Sequence, residues 1–282
     1  MPGSTGSPPT RRVVEVLQLL AAGEPLTASG VAQRLGLSGS TCAVLLAELG
    51  DAGFVARADD KRYRLGVGLV PLVREVRRRF PLLGAADEVL DRLHTRTGLG
   101  CSLTRIDPDG LTVVAVAGPG RPGARFPLDP PYGVVAHAYR SAADIDQWTA
   151  SLDRAARTRY RAVLAGIRER GYTAWGLESA AAPLVGEMRQ LLTSLADHPA
   201  SGELRGHLVA VFARLGGQGW TPRELDAGGE LSLSYLLAPV LGDDGRPAYQ
   251  VELHVLRERV SAAERERLVE QVRQAAAALT VS

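Results

Sequence analysis

Arg57, Lys61, Arg62 and Arg64 stand close together in FVARADDKRYRL, on either side of Asp59-Asp60. Cations crowded on a tight hairpin suit contact with phosphates or with a minor groove. Ser38, Ser40 and Thr41 come shortly before them at the start of a predicted helix, with Val44 one turn further on. Hydroxyls bond phosphates or base edges, and a valine packs on a thymine methyl. Arg11, Arg12 and Arg34 add further phosphate-binding groups. These eleven residues are the candidate contacts to double-stranded DNA. A second set mixes apolar walls with a few polar groups, as small-molecule pockets do: Cys101, Leu103, Tyr132, His137, Trp175, Glu178 and Tyr249.

Catalytic or metal chemistry has no comparable signal. His94, His137, His198, His207 and His254 lie far apart, without H-x-x-x-H or Cys/His ligand spacing. Neither a G-x-S-x-G nor a Walker pattern occurs. Cys101 opens a predicted strand with no base beside it. GPGRPG at 118–123 has two prolines, which lack N–H donors, and no helix starts directly after it, so it reads as plain loop. The expectation is a protein that is not an enzyme and needs no metal or cofactor.

Three predicted helices and a hairpin must position the DNA-facing set. Residues 1–9 are Pro, Gly, Ser and Thr with Met1, and read as a disordered tail. Thr10 is a candidate cap for a first helix on which Val13, Val16, Leu17 and Leu20 share a face. Gly23 and Pro25 end it, and Thr27 caps a second helix that buries Ala28, Val31, Ala32 and Leu35. Gly36 supplies a turn, and Ser38 caps a third helix running to about Asp51. There Cys42, Leu45, Leu46 and Leu49 point inward, and Ser40, Thr41, Val44 and Glu48 outward. The ribbon after Gly53 alternates, with Phe54, Tyr63 and Leu65 on its packed side. Helix, turn, helix and ribbon in this order form a winged helix-turn-helix over residues 10–66. An apolar helix, with Val67, Leu69, Val70, Leu72, Val73 and Val76, links it at 67–82 to the remainder, 83–282.

The rear part opens with a helix from Ala85 to Arg96, inward at Val89, Leu90 and Leu93. Strands at about Cys101–Ile106 and Leu111–Ala117 follow, joined by Asp107-Pro108-Asp109-Gly110. A short helix near Val134–His137 precedes a long polar helical region from about Ala143 to Arg170. A helix around Glu187–Leu195 and a strand at 207–215 are predicted next. Thr221-Pro222-Arg223-Glu224 is a capping-box start. Strands at about Ser234–Leu241 and Ala248–Leu256 flank Gly242-Asp243-Asp244-Gly245, and a second capping box at Ser261–Glu264 opens a terminal helix with Leu268, Val272, Ala276 and Leu279 on one face. Paired strands with helices segregated around them indicate an α+β fold.

Composition fits two domains. A chain of 282 residues can bury roughly 70–75% of its unfolded surface. Net charge is only +2, but residues 1–80 carry 11 basic against 7 acidic side chains and the remainder 22 against 24. A basic front and a mildly acidic rear agree with nucleic-acid contact at the front. Two cysteines make no disulfide framework. MPGSTGSPPTRR lacks the apolar core of a signal peptide, and no run approaches 18 apolar residues. These features predict a cytoplasmic protein with no membrane partner.

Residues 11–66, through RRVVEVLQLLAAGEPLTASGVAQRLGLSGST and LLAELGDAGFVARADDKRYRLGVGL, resemble the N-terminal domain of the IclR family of bacterial transcriptional regulators. The similarity resumes in PLDPPYGVVAHAY, IRERGYTAWGLES and YLLAPVLGDDGRPAYQVEL, so most of the chain outside roughly 186–230 takes part. The resemblance implies a GAF-like rear domain, an antiparallel sheet flanked by helices with a small-molecule effector pocket on one side. It also implies a homodimer or homotetramer whose contacts involve the first helix and the linker helix. One position departs from the family pattern. Val44 stands where the family usually carries arginine, and Glu48 and Asp51 follow, so this helix presents no cation. The leading reading is a ligand-responsive repressor or activator on a pseudo-palindromic operator. A sensor or interaction module whose winged helix has lost DNA binding, and a small-molecule enzyme using the rear pocket, stay open as alternatives.

Overall fold

The computed structural model describes residues 8–21, 24–119, 122–177 and 216–280. The expected helix at 187–195, the strand at 207–215 and the site candidate Glu178 lie outside the described residues, as do Gly23 and part of the 118–123 loop. The chain divides into two compact units, Met1–Phe80 and Pro81–Ser282. The linker helix therefore belongs to the first unit.

In the first unit, α1 (Pro8–Ala21) starts three residues earlier than a cap at Thr10 would place it. Pro8 and Pro9 are helical because proline fits the first turn, where no N–H is needed, so they are not part of a tail and Thr10 is no cap. Thr27 caps α2 (Ala28–Leu35) by accepting from the Gly30 amide, and Gly36 ends it in the left-handed region at φ 60°. Ser38 then caps α3 (Gly39–Asp51). Val16, Leu20, Val31, Ala32, Cys42, Leu46, Leu49 and Val55 form the buried core of this unit, with Leu45, Phe54 and Tyr63 against it. The inward and outward faces of the third helix are as the periodicity predicts.

The ribbon has one strand more than expected. β1 (Leu26–Thr27) joins β2 (Val55–Arg57) and β3 (Arg62–Leu65) in a sheet of order β1-β3-β2. β1 pairs only with Arg62 and Tyr63. Leu65 lies past its cover and is 38% exposed, which corrects its expected place on the packed side. After the ribbon the backbone runs hard against the end of α3. A Cβ on Gly68 would sit 2.6 Å from the Ala52 carbonyl oxygen, and one on Gly66 would sit 2.2 Å from that of Gly53. Glycine is required at both. A 3-10 turn (Val67–Leu69) then leads into α4 (Val70–Arg79), none of whose residues is buried.

The second unit is an antiparallel sheet with helices on both faces. α5 (Leu83–Thr97) leads to β4 (Gly100–Asp107), β5 (Gly110–Ala117) and the short β6 (Arg125–Phe126). α6 (Val134–Ala138), α7 (Ala142–Trp148) and α8 (Arg154–Arg170) precede β7 (Thr173–Leu177). The expected single helical region from 143 to 170 is thus two helices. The chain breaks after Trp148, and Asp153 starts the second helix as its N-cap, accepting from the Ala156 amide. β8 (Gly216–Gly219), α9 (Pro222–Asp226), β9 (Leu231–Leu241), β10 (Pro247–Val260) and α10 (Ala262–Leu279) complete the unit. The sheet order is β6-β5-β4-β10-β9-β7-β8, with every pair antiparallel. Thr221 and Glu224 close a reciprocal capping box. At Ser261 only half of one forms: its hydroxyl accepts from the Glu264 amide, while the Glu264 carboxylate pairs with Arg257 instead.

Alternation along the strands gives the sheet two different faces. Leu103, Leu236, Ala238, Val251, Leu253 and Val255 pack with α5 and α10 in an apolar core. Val134, Val135 and Ala138 of α6 and Val163, Leu164 and Ile167 of α8 form a second core with Trp175, against which Ile106, Tyr235 and Leu237 pack. The second face is where the polar residues gather.

Candidate nucleic-acid interface and the polar face of the rear sheet

The outward side of α3 is built from small residues. Ser40, Ala43, Val44, Ala47 and Glu48 are all exposed, at the spacing of one helical stripe, and Val44 is 61% exposed. Glu48 is the only long side chain in this stripe, so the first turns of the helix can lie close to a flat partner. At its start, Ser38 Oγ lies 3.1 Å from Ser40 Oγ and 2.8 Å from Thr41 Oγ1, and it accepts from the Thr41 amide at 3.2 Å. The three hydroxyls are thus mutually oriented at the positive end of the helix dipole, an arrangement that favours anions.

The cations of the wing differ in how free they are. Arg62 and Arg64 share the outer side of β3. Arg62 Nε lies 3.5 Å from Asp60, and its guanidinium reaches the Pro25 carbonyl at 3.5 Å. Arg57 lies over the Tyr63 ring, 5.8 Å from its centroid. Among the described residues no ion pair holds Arg64 or Lys61, and both are exposed. Lys61 takes φ 64° to close the turn back to Ala58. On α1, Arg11 is paired with Glu15 at 2.9 Å and Arg12 is exposed, while Arg34 sits in the last turn of α2. All eleven predicted DNA contacts therefore belong to the first unit.

The six described residues of the predicted pocket do not gather in one place. Cys101 and Leu103 are wholly buried on the α5/α10 side, and Tyr249 packs beside that core. Cys101 donates its S–H to the Leu90 carbonyl, and burial pushes its thiol up to about 11, which leaves it inert as a nucleophile. His137 is buried in α6. It donates from Nδ1 to the Gly133 carbonyl at 2.9 Å and stacks on Trp148 at 4.4 Å between centroids. Burial holds it below the ordinary histidine range. Trp175 packs against Tyr160 on the second face, and Tyr132 stacks on Phe126.

Strand register brings together a set that sequence reasoning missed. Thr104 lies opposite Gln250, and Ser102 opposite Glu252, which in turn faces Leu237 and then Thr173. His254 faces Tyr235 and then Trp175. Gln250 Nε2 donates to Glu252 Oε1 at 2.7 Å, and Ser102 Oγ lies 3.2 Å from His254 Nε2. Burial pushes the Glu252 carboxyl up, against the hydrogen bond from Gln250 and the nearby Thr104 hydroxyl, and holds His254 down to about 4. Tyr235, Glu252 and His254 are deep enough for burial to shift all three, yet each keeps accessible surface. This face is not packed shut. A cleft of about 320 Å³ opens at its Ile106–Pro247 end, with Arg140, Asp144 and Arg246 on its rim. The signal was present in YQVELHV, where Gln250, Glu252 and His254 recur at period 2 in a strand flanked by apolar ones.

Among the described residues, no helix is long and apolar enough to cross a membrane. Residues 9–59 match the family model of the IclR helix-turn-helix domain. No curated protein matches the chain. Among solved structures, it is similar to Thermotoga maritima IclR, at 16% identity and TM-score 0.54 over 96% of each chain. The IclR transcriptional regulator of Alicyclobacillus acidocaldarius is 19% identical, with TM-score 0.51 over 98% of both chains. Pseudomonas aeruginosa HmgR is 20% identical, with TM-score 0.51 over 96% of this chain and 99% of its own. The matched domain is a helix-turn-helix, and the Alicyclobacillus protein is named as a transcriptional regulator. Residues 9–59 thus carry a helix-turn-helix domain of the IclR type, and the chain has the fold of these solved regulators.

Proposed function

We propose that this chain is a ligand-responsive transcriptional regulator that binds a pseudo-palindromic operator as a dimer or tetramer. The observation that carries the reading is the first unit's outer surface. A stripe of small residues on α3 lies between an oriented hydroxyl cluster and a wing with exposed cations. In this reading α3 enters the major groove, where Ser40, Thr41 and Val44 meet base edges. Arg12, Arg34, Lys61, Arg62 and Arg64 hold the phosphates. Pairing of copies is supported by the turn before α4 and by α4 itself: Val67 of the turn is 84% exposed, and Val70, Leu72, Val73 and Val76 of the helix are also exposed. Val14 on α1 adds to the apolar surface of this unit. An apolar patch of this kind is a usual interaction surface. Two α3 helices related by a two-fold axis would read two half-sites about one helical turn apart. The effector would lie on the polar face of the rear sheet. It would act by binding DNA-competent and incompetent pairings with different affinity, since equal affinity shifts nothing.

A second reading has its own observation: α3 presents Glu48 and no cation. That favours a sensor whose winged helix no longer holds DNA. Fluorescence anisotropy with the DNA upstream of its own gene and with random duplex, at two salt concentrations, separates the two. The regulator reading expects tighter binding to the upstream DNA at both salts. Equal, weak binding to both duplexes would favour the sensor.

A further inference from the structure

The polar rows on the second face of the rear sheet are rich in acceptors: a carboxylate, an amide carbonyl and hydroxyls that can also donate. Four buried side-chain polar atoms among the described residues have no hydrogen-bond partner, and three lie here, on Thr104, Thr173 and Gln250. Each of these three residues is at most 3% exposed. Thr104 Oγ1 sits beside the Glu252 carboxylate without forming a well-shaped bond to it. Gln250 gives one Nε2 hydrogen to Glu252, and its amide carbonyl is left unmatched. Ser102 and His254 are used on each other. What remains for a guest is a carboxylate, an amide carbonyl and two hydroxyls.

Positive charge is missing from this set. The groups acting on the Glu252 carboxyl are its own burial, Gln250 and Thr104, and no cation among the described residues is among them. Arg105 is spent on Asp107 and Arg257 on Glu264. Arg140 and Arg246 stand at the rim of the cleft beside Ile106. At about 3.4 Å per residue, that end is roughly 14 Å along the strand from the row of Ser102 and Glu252. The walls near Glu252 are Tyr235, Leu237 and Trp175.

We propose that this face binds an organic cation, a primary ammonium on an apolar or aromatic body, with its nitrogen at Glu252 and the Gln250 carbonyl. An ammonium has three donors and no acceptor, the complement of what the face presents. Its hydrogen bonds to a carboxylate are charge-assisted, and aromatic faces attract it. A carboxylate guest would instead set a second negative charge against Glu252, with only the neutral Thr104 and Thr173 hydroxyls left to donate to it. The inference deepens the effector reading and rests on it.

The test uses the full chain. Wild type and Glu252→Gln are followed by scanning fluorimetry against primary amines and the carboxylates and alcohols on the same carbon skeletons, from butyl to phenylpropyl. Stabilisers are expected among the amines, with apparent affinity falling at least about tenfold in Glu252→Gln, the equivalent of one charge-assisted contact. If carboxylates or alcohols stabilise as well as the amines, and Glu252→Gln or Thr104→Val weakens them, the ligand class is wrong and the site stands. If no compound stabilises the wild type, or every stabiliser acts equally on both variants, the site itself is overturned and the class with it. Should Glu252→Gln not fold, Thr104→Val takes its place, since it removes only one hydroxyl and keeps the shape.

Discussion

Arg64 tests whether the wing touches DNA, because it can be removed without disturbing the fold. It is exposed and, among the described residues, held by no ion pair, so its whole charge is available to a phosphate. Each phosphate neutralised adds about 0.9 to the slope of log K against log salt. Losing one such contact therefore lowers affinity by about 0.9 log units at 0.1 M salt, roughly eightfold or 1.2 kcal/mol, and only about threefold at 0.3 M. Arg64→Ala should show both numbers, on operator and random duplex alike, because phosphates carry no sequence. Arg62→Ala should shallow the slope by a similar amount, about 1, and the double variant by about 2. Val44→Ala is the contrasting control: it should alter the preference between duplexes and leave the slope alone. Anisotropy titrations from 0.05 to 0.3 M salt measure all four proteins. Arg64→Ala should keep its unfolding free energy within about 0.5 kcal/mol. An unchanged slope in that variant, with normal stability, would take the wing off the DNA and leave the wing arginines as solvated surface.

Val73→Glu puts a charge on the exposed apolar face of α4 and should turn the assembly into monomers in sedimentation velocity; an unmoved sedimentation coefficient would place the oligomer contact elsewhere. Gly68→Ala drives a Cβ to 2.6 Å from the Ala52 carbonyl oxygen, a rigid backbone atom, and should destabilise the first unit by about 2 kcal/mol or more in thermal unfolding, against little change for Gly39→Ala, where the space is open. Because His254 has its folded pKa held down to about 4, the unfolded chain binds its proton first. Its contribution is therefore whole above about pH 6.5 and is lost as pH falls towards 4, by up to about 3 kcal/mol. His254→Phe should flatten the stability profile in that window relative to wild type, and parallel profiles for the two proteins would contradict a buried neutral imidazole.

Local rules made the first unit legible almost residue by residue. Caps at Thr27 and Ser38, the turn at Gly36 and the inward face of Cys42, Leu46 and Leu49 follow from short-range chemistry, and each took its expected place. β1 was missed because two residues give no periodicity; it exists only through pairing with Arg62 and Tyr63. In the rear unit β4, β5, β9, β10 and the helices α5, α6, α9 and α10 were legible, β6, β7 and β8 were missed, and the split between α7 and α8 was hidden because both halves are polar and helix-prone. The pocket candidates failed to converge for a geometric reason. Cys101 and Leu103 have the same strand parity as each other and the opposite parity to Ser102 and Thr104. Parity assigns a face, but only register tells which polar residues meet across strands, and register is not readable from a single sequence.

The two faces of the rear sheet differ in how they use polar residues. The α5/α10 side is apolar through Leu103, Leu236, Val251 and Leu253. The other side leaves Thr104, Thr173 and Gln250 each with an unmatched polar atom, a loss of about 1–3 kcal/mol apiece. It also keeps Glu252 where burial resists its charge. Against a net folding stability of about 5–15 kcal/mol, such a concentration is large. Valine in place of either threonine would keep the shape and remove the unmatched hydroxyl, so packing alone gives no reason for the polar residues. A guest that supplies donors does: each bond it forms to an already desolvated acceptor displaces little water, and its affinity appears directly as added stability of the bound form. The same groups that weaken the empty domain are then the ones through which a ligand can shift its equilibrium.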